Sequence, residues 1–222
     1  KLFTILSMAT LAIAGIQSAN AAVFDFADYA DVGVDNLAEA GININNEWGY
    51  STFSVNESGI NLTVTAKYNN NPAFVYLDGG NAGLGVCHAG LSAGGQCTTS
   101  SDDNVTKNEI LILEFDQVVT LDELVFKNGS HGTSFKGEFS VKVGSDLEWT
   151  DYDLTPEYDG SHLVGSSFQI ANFNDKTKNQ YQFYINEMTV SPVPEPSVVM
   201  LLGSGLLMVG FTALRRNRKN IV

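Results

Sequence analysis

The side chains of this sequence that could do chemistry are mostly oxygen donors and aromatic rings. Asp102, Asp103 and Asn104 run together close to a pair of cysteines, and Asp25, Asp28 and Asp31 recur at three-residue intervals. Oxygen ligands drawn from separated segments are the chemistry by which extracellular β-domains hold Ca2+, so Asp102, Asp103 and Asn104 are candidate ligands, with the earlier group beside them. Solvated loop acids are the plainer alternative. An EF-hand is excluded: Asp151-Tyr152-Asp153 begins like one, but Pro156 stands where the loop needs glycine. Trp149, Asp151 and Asp153 alternate at period two and would share one face of a strand, as would Trp48 and Tyr50. An exposed ring beside hydrogen-bonding acids can stack on a sugar; a tryptophan packed inside the domain is the ordinary alternative.

Catalytic signals are sparse. His88, His131 and His162 are the histidines. Glu109, Glu114, Glu138 and Asp151 offer glycosidase-type carboxylate pairs, as any acidic β-domain does. The glycine-rich stretch at 79–85 lacks the Lys-Ser/Thr and the following helix that a phosphate loop requires. Cys87 and Cys97, an even and closely spaced pair, read as a disulfide in an exported chain. Zinc would need about four ligands, and one histidine with two thiols does not supply them. Asn56, Asn61, Asn104 and Asn128 each open an N-x-Ser/Thr triplet, a chance product of an Asn-rich chain.

The charge is unevenly spread. Of the 12 basic residues, Lys1, Arg215, Arg216, Arg218 and Lys219 lie near the ends, whereas Glu195 is the only terminal one of 25 acids. The middle is therefore more acidic than the net charge of −13 suggests. Such a field repels phosphate backbones and excludes nucleic acid as a partner. Solubility or cation binding accounts for it.

Both ends are apolar. Lys1 precedes an apolar run at 2–16, and Gln17-Ser18 leads to Ala19-Asn20-Ala21, the pattern of a secretory signal peptide over residues 1–21 with cleavage after Ala21 or Ala22. At the other end stand Pro194-Glu195-Pro196, an uncharged run at 198–214, and the cluster Arg215, Arg216, Arg218 and Lys219. The run gives about 25 Å of helix, at the short end of what crosses a bilayer. The basic cluster predicts a cytoplasmic tip, which leaves the prolines on the outer side of the inner membrane. Pro194 and Pro196 hold Glu195 on a stiff, extended segment.

These three parts in this order resemble the PEP-CTERM sorting signal, over residues 193–219. The resemblance implies an exosortase-like membrane transpeptidase as partner, processing at or near residues 194–196, and transfer of the product to the surface or biofilm matrix of a Gram-negative exopolysaccharide producer. A plain tail anchor is the alternative.

Residues 22–192 must then form the acidic domain. Ile60, Leu62, Val64, Ala66 and Tyr68 alternate at period two, as do Phe139, Val141 and Val143, and 180–190 is rich in aromatic and branched residues. Further strands are expected at 23–26, 49–55, 73–77, 109–115, 121–127, 147–152 and 167–170, one helical turn at 35–40, and a long irregular loop at 78–108. The expected fold is a single all-β sandwich of jelly-roll topology. The expected function is a non-catalytic surface or matrix protein contacting exopolysaccharide, with structural Ca2+ as an accessory. A polysaccharide-active enzyme on the same fold and a purely structural matrix protein are the alternatives.

Overall fold

The computed structural model describes residues 20–31, 47–98 and 103–193. Asn20–Val193 form one compact unit. Its elements are β1 (Ala22–Asp25), α1 (Phe26–Asp31), β2 (Trp48–Tyr50), β3 (Phe53–Glu57), β4 (Ile60–Tyr68), β5 (Asn71–Asp78), β6 (Gly83–Cys87), β7 (Glu109–Asn128), β8 (Glu138–Val143), β9 (Thr150–Asp153), β10 (Glu157–Asn172) and β11 (Phe183–Pro192). The helical turn expected at 35–40 lies outside the described residues.

The fold is all-β, and every ladder in it is antiparallel. From β7 the hydrogen bonds run through β4, β5, β6 and β11 and return to β7, so the sheet closes on itself. β7 makes this possible by serving two ladders. Residues from Glu109 to Phe115 lie against β4, and residues from Val119 to Asn128 lie against β11. Between them Asp116, Gln117 and Val118 form an exposed corner. The buried parity of β7 also switches, from Leu111, Leu113, Val119 and Leu121 to Leu124 and Phe126. The switch occurs where the ladder to β11 passes from Glu123 to Leu121 and skips Asp122, a bulge that turns the strand without turning its apolar face outward.

The core follows from this alternation. Phe126 packs on Phe139 at 4.9 Å and on Phe183 at 5.2 Å between ring centroids, and Phe115 meets Phe168 at 5.9 Å and Phe24 at 6.1 Å. Each such ring is fully or nearly fully buried and stabilises the fold by about 1.5–3 kcal/mol through burial alone.

Four expectations are corrected. The chain from Phe26 is helical, because the Asp25 carboxylate caps α1 by accepting from Asp28 N at 2.9 Å, and the helix buries Phe26, Ala27, Tyr29 and Ala30. The segment 78–108 is not one loop, since β6 lies within it, fully buried between β5 and β11. The strands expected at 109–115 and 121–127 are one continuous β7, and β10 begins ten residues before the expected 167, with bulges after Asp159 and after Gly165. Those exposed bulges hide the alternation that marks a strand in sequence.

Candidate functional site

The edge formed by β8, β9 and the second half of β10 is built from short alternating strands. Val141 and Phe139 point to the core, so Ser140 and Lys142 point away, and the register carries the same split to neighbouring strands. Tyr152 lies opposite Phe139 and packs on it at 5.7 Å, whereas Asp151 lies opposite Ser140 and accepts its hydroxyl proton at 2.6 Å. Asp153 faces Glu138 across the strands, both exposed. Trp149, just before β9, is half-buried, stands edge-on to Phe173 at 5.1 Å, and has the Lys142 ammonium 5.8 Å from its ring centre. Trp149 is therefore not a core residue, and the sequence-predicted set Trp149, Asp151 and Asp153 comes together on the outer side. Trp48, by contrast, packs against the core, and Tyr50 is buried in it.

On the other face of β9, the Tyr152 and Tyr158 rings meet tilted at 4.9 Å, and both hydroxyls reach His162 Nε2, at 3.2 and 3.3 Å. This second aromatic group has no counterpart in the sequence reading. The bulge at 160–162 brings His162 to the two hydroxyls, and single-sequence alternation does not reveal that.

A half-buried polar cluster lies where β5, β11 and residue 103 meet, with Asp78 and Tyr184 buried in it. Tyr184 donates to Asp103 Oδ1 at 2.8 Å. His131 Nδ1 lies 3.0 Å from the Gly80 carbonyl, which can only accept, so Nδ1 carries a proton. Its Nε2 meets Asp78 Oδ2 at 3.1 Å, a contact that requires one further proton on one of the two groups. Burial and then the nearby Asp103 push the Asp78 carboxyl up to about 7, so this acid retains a proton well above the usual carboxylate range. Burial raises Asp103 as well. Asp31, at the end of α1, accepts from Gly80 N at 2.9 Å and ties the helix to the same turn.

The other expected site residues have separate duties. Cys87 and Cys97 form the disulfide, with their Cα atoms 5.8 Å apart. Next to it, Glu109 is fully buried and accepts from Thr106 N at 2.6 Å and Thr106 Oγ1 at 2.8 Å, with His88 Nδ1 at 2.7 Å. The His88 ring stacks on Tyr68 at 3.8 Å. Glu109 thus closes the turn before β7. Glu114 is exposed on β7. Asp102 lies outside the described residues. Asn104 is buried, and its Oδ1 has no hydrogen-bond partner among the described residues. Asp25 and Asp31 are occupied at opposite ends of α1, so the N-terminal acids do not form the expected ligand group. Among the described residues, no three His, Cys, Asp or Glu side chains converge as a metal-binding group.

Pro194, Glu195, Pro196, the run at 198–214 and Arg215, Arg216, Arg218 and Lys219 all lie outside the described residues, as do residues 1–19 of the leader expected over 1–21. Among the described residues no helix is long and apolar enough to cross a membrane. The approach to the motif is described: β11 stays in its ladder until Pro192 faces Val119, and Val193 N donates to the Val118 carbonyl at 3.0 Å. No curated protein matches the chain. The family model of the PEP-CTERM protein-sorting motif matches residues 192–219, so the chain carries that motif, beginning at the last residue of β11.

Proposed function

We propose that this protein is exported, held at the inner membrane as a precursor, and processed by an exosortase-type enzyme at or near residues 194–196 for release to the surface or matrix. The observation that carries this reading is the PEP-CTERM match at residues 192–219. The order of prolines, apolar run and basic cluster within it supports the anchored precursor. Expression with and without the exosortase tests it. Loss of the tail mass and release from the inner-membrane fraction are expected only when the enzyme is present; an intact tail in both hosts would overturn the reading.

The domain's part in this proposal is non-catalytic contact with exopolysaccharide through the outer face of β8–β9–β10. Trp149 and Phe173 offer apolar ring surface there, and Asp151, Asp153 and Lys142 offer hydrogen-bonding partners for hydroxyls. Glu109, the best-held carboxylate of the glycosidase candidates, is spent on a turn, which supports a binding role over hydrolysis. Trp149→Ala should weaken retention on the host's polysaccharide roughly tenfold, in line with about 1–2 kcal/mol for a stacked ring, and leave the melting temperature nearly unchanged. Equal retention of both proteins would remove the site.

Jelly-roll topology and structural Ca2+ belong to the same proposal. All-antiparallel pairing and the distant partnering of β7 with β10 and β11 support the first. The second draws support from Asn104 Oδ1, buried without a partner among the described residues beside Asp103. A rise in melting temperature with Ca2+, lost in Asn104→Ala, would bear it out; the same melting curve with chelator would end it.

A further inference from the structure

Strand β9 is an edge of the sheet: among the described residues it pairs with β8 alone, and the chain then returns through Pro156 into β10. Tyr152 on β9 lies opposite Phe139, and Tyr158 enters β10 opposite Leu124. Both phenol rings settle on the buried Phe139 ring, at 5.7 and 4.9 Å between centroids. That support holds the two tyrosines against each other, with their centroids 4.9 Å apart and their planes inclined by 55°. Both hydroxyls converge on His162 Nε2, at 3.2 and 3.3 Å, so the rings approach by their hydroxyl-bearing ends. Burial, and after it the hydrogen bond with Tyr152, raises the Tyr158 phenol above its ordinary range. Among the described residues this is the one contact between two tyrosine rings.

Rings so placed are close to a covalent bond. In a biaryl joined by one C–C bond of about 1.5 Å, the ring centroids stand about 4.3 Å apart. The observed 4.9 Å leaves about 0.6 Å to close. The two tyrosines are half-buried and His162 is exposed, so the hydroxyl ends lie near solvent. We propose that Tyr152 and Tyr158 are a site of oxidative modification, coupled through the ring carbons next to their hydroxyls into dityrosine by a peroxidase-type oxidant that reduces hydrogen peroxide. Each phenol gives up one electron and its hydroxyl proton. With the imidazole proton on Nδ1, His162 Nε2 presents the lone pair that takes a phenol proton as the electron leaves. The two phenoxyl radicals pair their electrons in one new C–C bond, and each ring regains aromaticity as its displaced ring hydrogen moves, as a proton, to the hydroxyl oxygen. The two electrons and two protons reduce one peroxide, whose O–O bond breaks to give two waters. The new bond ties the edge strand β9 to β10, which β7 already holds. The disulfide between Cys87 and Cys97 suits the same oxidising surroundings.

The test exposes the folded full chain, dilute and in detergent, to a haem peroxidase with limiting hydrogen peroxide. A second arm uses a small light-generated one-electron oxidant, which needs no docking of another protein. The expected product in both is a monomer lighter by two hydrogens that shows dityrosine fluorescence. Cleavage after Glu157 separates the two tyrosines in sequence, and the peptides that bear them should stay joined. Tyr152→Phe and Tyr158→Phe keep a ring on Phe139, and each should abolish the intrachain product. His162→Gln should slow its formation at least about tenfold while leaving the melting temperature nearly unchanged. An unchanged monomer mass in both arms, cross-links only between chains, or the same intrachain product in Tyr158→Phe would overturn the site. Equal rates with and without His162 would overturn its part as proton acceptor.

Discussion

At the residue scale, the Asp78 and His131 pair places one titratable proton inside the structure. Asp78 is raised to about 7 from an ordinary value of 3.8. A carboxyl raised in the folded state stabilises the fold fully below its unfolded pKa and loses that contribution as pH climbs through the folded one. Stability, and the melting temperature with it, should therefore decline as pH rises from 3.8 to about 7 and level off above that. Asp78→Asn, scanned by calorimetry across the same range, should flatten the curve; an unchanged slope would assign it to other groups. The pair was illegible in the sequence, where His131 is only one of three histidines. Asp78, Asp103, His131 and Tyr184 come from four separate segments, and nothing local about each predicts that burial will gather them. Trp149, Asp151 and Asp153 were legible because strand alternation is itself local, although alternation could not say which face is wet.

At the element scale, two devices set the stability of strands near the N-terminal half. The disulfide between Cys87 and Cys97 closes a ten-residue separation at the end of β6. On the chain-entropy estimate its loss in Cys97→Ser costs about 2–3 kcal/mol, measurable by urea unfolding. In the β1 ladder, Glu187→Gln removes a like charge from opposite Asp25 and should slow amide exchange in β1. Faster exchange in that variant would show that Glu187 has a favourable partner. The spacing of the two cysteines foretold the bridge, and Asp25 before an apolar Phe-Ala pair carried an N-cap signal for α1 that a short β-like segment concealed. β6 escaped notice because Gly83, Leu84 and Gly85 read as a flexible run. The structure buries all three, and a Cβ at Gly85 would collide with the backbone of Asp103. Glycine there permits close approach of another segment, a tertiary requirement that looks like looseness in one dimension.

At the scale of the whole molecule, closure depends on β7 and on the ring cluster beneath it. Phe126 touches Phe139 and Phe183, from β8 and β11, and so joins elements on both flanks of β7. Phe126→Ala should cost about 3–5 kcal/mol, and denaturant unfolding should report one transition for the whole domain. Two resolved transitions would mean that the halves of β7 fold independently.

By itself the sequence determined the class of the fold, the disulfide, the sorting motif and the shared face of Trp149, Asp151 and Asp153. These follow from period-two alternation, cysteine spacing and short contiguous motifs, all of which act between residues near in the chain. Tertiary structure alone decided that the sheet closes through β6 and β11, that one bent β7 does the work of two strands, and that four distant polar residues meet in one half-buried cluster. It also decided that the first strand seals against the last. Each of these depends on pairing across long chain separations, where register is chosen by the summed burial of many side chains and leaves no short-range mark in the sequence.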